Sequence, residues 1–144
     1  MPSGSSSIPL ARKLGIKPGT VLLALRPPAE YRTWLSPLPA EVSVVAKVPK
    51  GGCDIVHLFV PCLADLDRDL PMARRAMKID GALWLSWYKK AARTATDVTE
   101  DLLRARVLAT DLVDVKVCAV SEKWSGLKFV LRKHLRPQAR SSAR

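Results

Sequence analysis

Arg26, Lys89, Lys90 and Arg93, together with Thr94 and Thr96, are the residues whose types and spacing best suit ligand binding. Arg26 follows one apolar run and the others follow a second, so two strand ends would bring them to one rim. Guanidinium, ammonium and hydroxyl donors converging there would hold a phosphate or a carboxylate, helped by the free amides of a helix expected to start near Asp97. The plainer alternative is a set of solvated loop residues with Asp97 as a simple cap. His57 and Trp87 fall where they would line the same pocket. For His57 the alternative is a core histidine with a hydrogen-bonded ring. Trp124 lies in a loop between two strands, where an indole either folds back on the sheet or marks a partner contact.

No catalytic set emerges from these residues. Cys53, Cys62 and Cys118 are odd in number and widely spaced, with no Cys-x-x-Cys. They read as reduced thiols, neither a disulfide framework nor a zinc site, and no metal is expected. No second histidine stands near His57 to make a nucleophile–base pair.

The elements that must position these residues follow from periodicity. A short helix is expected over residues 8–14, ended by Gly15. Thr20 to Leu25 is a continuous apolar run, the pattern of a strand buried on both faces. Residues 29–35 predict a short helix with Tyr31, Trp34 and Leu35 inward. Glu41 to Val48 is a second β-branched run and Asp54 to Val60 a third strand. Leu66, Leu70, Ala73 and Met77 keep helical spacing, and Pro71 is expected to break that helix or begin its second half. Asp80-Gly81 reads as a turn before a fourth strand, Ala82 to Trp87. Trp84 and Trp87, three apart, should point to opposite faces. Asp97-Val-Thr-Glu100 has the spacing of a capping box, predicting a helix from Asp97 to about Leu112. Val113 to Ala119 and Leu127 to Arg132 alternate as a closing hairpin.

Strands that alternate with helices imply parallel pairing with right-handed crossovers. The expected fold is therefore α/β: a truncated, Rossmann-like three-layer sandwich. Its six-stranded, mostly parallel sheet would end in an antiparallel C-terminal hairpin. The 144 residues suit one domain over 8–135, with a disordered N-terminus at 1–7 and a basic disordered tail at 136–144. No apolar run nears the length of a membrane span and the start lacks a signal-peptide pattern, so a cytoplasmic protein is expected.

The net charge of +11 is concentrated at the ends. Residues 1–19 carry Arg12, Lys13 and Lys17 without an acid. Residues 132–144 carry Arg132, Lys133, Arg136, Arg140 and Arg144, again without one. The stretch between keeps 16 basic and 13 acidic residues. The nucleic-acid alternative therefore works through the basic termini.

Residues 14–25 resemble the entry to the first strand of class I S-adenosylmethionine-dependent methyltransferases. Asp54-Ile-Val-His-Leu-Phe resembles their fourth strand, Asp80-Gly-Ala-Leu-Trp-Leu-Ser their fifth, and the hairpin their closing antiparallel pair. The resemblance implies the strand order 2-1-3-4-6-5, with one strand–helix unit missing. A second resemblance, over residues 8–135, is to a family of small bacterial proteins catalogued as a domain of unknown function. It is carried by residues 13–19, 84–90, 96–101 and 112–128, and implies a fold without an activity.

In open α/β sheets ligands sit beyond the carboxyl ends of the strands, where the strand order reverses. The methyltransferases carry a glycine-rich loop there. This chain has Ala24-Leu-Arg-Pro-Pro28, with no glycine from Val21 to Lys50, and proline removes amide donors. Lys47 stands about where an acid would hold ribose hydroxyls. No cofactor is expected on this ground. The leading expectation is a non-catalytic Rossmann-like module that binds an anionic small molecule or a protein partner. The alternatives are a divergent methyltransferase, and a nucleic-acid binder working through the termini.

Overall fold

A computed structural model describes residues 8–135. The expected disordered segments, 1–7 and 136–144, lie outside the described residues. The elements are α1 (Leu10–Leu14), β1 (Val21–Leu25), α2 (Tyr31–Leu35), β2 (Ser43–Val45), β3 (Cys53–Phe59), α3 (Leu63–Ala76), β4 (Met77–Tyr88), α4 (Glu100–Leu108), β5 (Leu112–Ala119) and β6 (Trp124–Leu131), with short 3-10 turns at Lys90–Ala92 and Lys133–Leu135. The sheet order is β2-β1-β3-β4-β6-β5. The strands from β1 to β4 run parallel, and β6 lies antiparallel between β4 and β5. This is the order and the mixed pairing expected of a shortened Rossmann-like sheet.

Two cores sandwich the sheet. On one face Leu66, Leu70 and Ala73 of α3, with Leu103 and Val107 of α4, pack on Val56, Leu58, Leu83, Leu85 and Phe129. On the other, Leu10, Leu14, Tyr31 and Leu35 from α1 and α2 pack on Leu22, Ile55, Phe59 and Trp84. Strand alternation sends Trp84 to the second core and Trp87 to the first. The Trp84 indole N–H donates to the Leu14 carbonyl at 3.2 Å, tying α1 to β4.

Four local expectations are corrected. Pro71 does not break α3: it sits on the exposed side of one continuous helix, where four buried side chains outweigh the lost hydrogen bond. Asp80-Gly81 is not a turn. β4 begins at Met77, and its pairing with β3 jumps from Cys53↔Met77 to Ile55↔Ala82. That bulge needs glycine, because a Cβ on residue 81 would lie 2.8 Å from the Asp54 carbonyl oxygen. α4 starts at Glu100, capped by Thr99, whose hydroxyl accepts from the Leu102 N–H at 3.2 Å; it ends at Leu108. Asp97 serves another helix, its carboxylate accepting the Leu63 N–H at 2.8 Å at the start of α3. Finally, β2 is three residues long, since it is an edge strand that pairs only with β1.

Candidate functional site

A cavity of about 870 Å³ opens at the carboxyl edge of the parallel strands, where a doubly wound sheet places its ligand. Arg26, Pro28, Glu30 and Trp34 reach it from the segment after β1, Pro61 from the end of β3, and Tyr88 from the end of β4. Thr94 and the hairpin residues Ser121 to Trp124 close it.

The turn leaving β1 is conformationally unusual. Arg26 has φ 58°, in the left-handed region that favours glycine. The chain thus makes a left-handed turn directly after the first strand without a glycine. The Arg26 guanidinium points across to α3 and pairs with Asp69 at 2.9 Å.

The anion site expected from sequence is only partly assembled. Of its six residues, Arg26 and Thr94 line this cavity; Lys89, Lys90, Arg93 and Thr96 do not. The Thr96 hydroxyl donates to the Pro61 carbonyl at 2.7 Å and accepts from the Val98 N–H at 3.1 Å, so it is spent on the loop itself. Arg93 is exposed and closes a 3-10 turn with φ 54°. Asp69 neutralises the Arg26 charge, and Glu30 and Glu122 add two carboxylates to the wall. The rim is mixed in sign rather than basic.

Its apolar wall is aromatic. Trp124 is 7% exposed, stacked on Tyr88 with centroids 4.1 Å apart and edge-on to Phe59 at 5.1 Å. Trp124 therefore folds back on the sheet as cavity wall, which corrects its reading as a partner contact. Trp87 is corrected likewise. It is buried in the core under α3 and α4, and its neighbour Tyr88 takes the cavity position. The sequence signal was the pair Trp87-Tyr88 at a strand end; only the register decides which of two successive side chains faces the ligand.

His57 is completely buried and lies outside the cavity wall. Its Nδ1 is 2.6 Å from the Tyr31 hydroxyl and its Nε2 is 2.7 Å from the Ser86 hydroxyl, so both ring nitrogens are hydrogen-bonded. Burial pushes the imidazole down to about 3, and pushes the Tyr31 hydroxyl up. The expectation that His57 lines the pocket is corrected: it is a neutral pin joining α2, β3 and β4. Through Tyr31, edge-on to Trp34 at 6.4 Å, it steadies one cavity wall. Cys53 is buried, Cys62 precedes α3, and Cys118 lies half-buried on β5. Among the described residues no cluster of three histidines, cysteines or carboxylates could hold a metal, and no helix is long and apolar enough to cross a membrane.

The architecture is that of the class I methyltransferases. DhpI in complex with SAH superposes with a TM-score of 0.56 at 14% identity, covering 87% of this chain and 83% of that one. The N-methyltransferase NodS from Bradyrhizobium japonicum gives 0.56 at 12% identity, covering 86% and 91%. The glycopeptide N-methyltransferase MtfA complexed with sinefungin gives 0.55 at 10% identity, covering 85% and 90%. No protein-family model matches the sequence, and no curated protein does.

These likenesses correct the leading functional expectation. A non-catalytic binding module was inferred from the missing glycine loop. The chain's structural neighbours are instead methyltransferases, among them complexes with SAH and sinefungin. That expectation equated loss of glycine with loss of the turn, whereas Arg26 keeps a left-handed turn.

Proposed function

We propose that the chain is a divergent S-adenosylmethionine-dependent methyltransferase with its reaction centre in the cavity beyond β1 and β4. The observation that carries the reading is the left-handed turn at Arg26 opening onto a wall of aromatic faces and carboxylates. S-adenosylmethionine supplies an electrophilic methyl group on a positively charged sulfur. Trp34, Tyr88 and Trp124 offer π faces, and Glu30 and Glu122 negative charge, which together suit a sulfonium. These faces and carboxylates therefore suit the sulfonium end of the cofactor.

Two departures weaken its hold on the nucleoside end. Pro27 and Pro28 provide no amide donors, and the exposed Lys47 follows β2 in place of an acid. Weak binding is the consequence, and the cavity's own residues carry more of the work. The stacked Tyr88–Trp124 pair excludes water from the wall. Glu122, exposed at the mouth, takes up the proton released by the group that accepts the methyl.

Calorimetric titration with S-adenosylmethionine and SAH, extended to about 1 mM, tests the reading. Saturable binding displaced by sinefungin is expected. A flat titration with the folded protein would overturn it.

A further inference from the structure

The face of the sheet that carries α1 and α2 is only half covered. α1 roofs Trp84, but the ladder continues past it. Trp84 is paired with Lys128, and Lys128 with Lys116, so the three side chains form one row on the same face. Trp84 is buried, Lys128 half-buried and Lys116 exposed. The next row is Ser86, Gly126 and Cys118. Lys13 leans in from α1, its ammonium donating to the Ala119 carbonyl at 3.0 Å, and Lys17 follows the same helix. Toward the cavity, the Lys89 N–H donates to the Lys123 carbonyl at 2.9 Å, and Lys123 lines the cavity itself.

Five of these six lysines act on the two half-buried groups of the hairpin face, Lys128 and Cys118, or are acted on there. Burial, then Lys116 and Lys17, depress the Lys128 ammonium. Burial raises the Cys118 thiol, while Lys13, Lys116 and Lys89 pull it back. Among the described residues, no ion pair joins any of the six to a carboxylate. Asp65, Asp67, Asp69, Asp111 and Asp114 are all engaged by arginines. Packing gives no reason to gather like charges on a bare hairpin, and their mutual repulsion opposes folding.

We propose that this face binds a single nucleic-acid strand, with the lysine row on its phosphates and a base stacked in the aromatic cavity beside Lys123. The successive single charges of a strand suit a face on which Lys116 and Lys128 are paired and Lys13, Lys17, Lys89 and Lys123 lie near, and Trp34 and Tyr88 provide π faces for a base. An acidic polypeptide offers no base to stack. A membrane surface calls for exposed apolar side chains on the lysine face; Val117, exposed beside Lys116, pairs with Leu127 and lies on the opposite face. Strand binding stands by itself; the strand's role as methyl acceptor rests on the transferase reading.

The test uses the full chain without cofactor, and fluorescence anisotropy of a labelled RNA of roughly 20 nucleotides across a salt series. Binding that weakens steeply with salt is expected. The double variant Lys116→Gln/Lys128→Gln, checked by thermal melting, should lower affinity at least about tenfold and reduce the salt slope by about 1.4, at about 0.7 per phosphate contact. Trp34→Ala should weaken binding with the slope unchanged. The variant Arg136→Gln/Arg140→Gln/Arg144→Gln should bind nearly as the parent does. The proposal is overturned by absence of binding, by an unaltered slope in the folded lysine variant, or by loss of binding only in the tail variant. Equal affinity for polyglutamate or for phosphatidylserine vesicles also overturns it. Because cofactor plays no part, failure here leaves the calorimetric result standing, and the reverse holds too.

Discussion

The Tyr31 hydroxyl lies 2.6 Å from Nδ1 of a histidine, His57, that has no solvent exposure, and Ser86 occupies the other ring nitrogen. Burial keeps the ring neutral down to about pH 3, whereas in the unfolded chain it takes a proton near about 6.5. Below that value the unfolded state binds the extra proton, so the folded state loses ground as pH falls and keeps losing until the folded ring itself titrates. Urea midpoints measured from neutrality downward should therefore drop, with a slope for this group of at most about 1.4 kcal/mol per pH unit. His57→Gln, unable to titrate, should start lower at neutrality and fall less steeply. Parallel curves for the two proteins would mean that the folded ring takes its proton as readily as the unfolded one.

Asp97 caps α3 from 34 residues away, while Thr99 caps α4. Asp97→Ala should cost about 1 kcal/mol and Asp97→Asn much less, because an amide oxygen still accepts the Leu63 N–H. Hydrogen exchange locates the effect: the first turn of α3 should lose protection in the alanine variant, with the first turn of α4 unaffected. Faster exchange at Leu102 and none at Leu63 would contradict the observed cap.

The strand order was legible because it depends on patterns within single segments. The continuous apolar run at Leu22–Leu25, and Ile55–Phe59 with only His57 interrupting it, have the pattern of strands covered on both sides, and the alternation about Leu127 and Phe129 that of a one-sided hairpin. The site was less legible because it depends on how segments meet. A bulge beginning at Cys53↔Met77 sets the register of β4, and with it the choice of Tyr88 over Trp87 for the cavity. His57 is neutral because Tyr31, on a five-residue helix, covers it. The lysine row draws on α1 and both strands of the hairpin, and no window of sequence shows those three pieces side by side.

Arg26 combines a left-handed backbone with an exposed ion pair to Asp69, and two variants separate the contributions. Arg26→Gly removes about 1 kcal/mol of backbone strain and loses an ion pair worth at most about that much, so its stability should stay within about 1 kcal/mol of the parent. Arg26→Val loses the ion pair and forces a β-branched residue into the same region, which should cost about 2–3 kcal/mol. Chemical denaturation of both proteins distinguishes them. Equal losses would show that the ion pair, rather than the turn, is what the position supplies.

Trp34 and Trp124 border the cavity, whereas Trp84 and Trp87 are buried in the two cores. A ligand entering the cavity therefore alters the surroundings of two indoles and leaves the other two as they were. Addition of SAH should shift and quench the intrinsic fluorescence, with the same midpoint as the calorimetric titration. Trp34→Phe should retain binding and lose part of the signal, because a phenyl face still offers its π surface to the ligand. Trp124→Ala should weaken SAH binding about tenfold or more, since it removes both a wall and the partner on which Tyr88 stacks. A fluorescence change that survives in Trp34→Phe/Trp124→Phe would place the ligand against Trp84 or Trp87, and the cavity beyond β1 and β4 would no longer be the site.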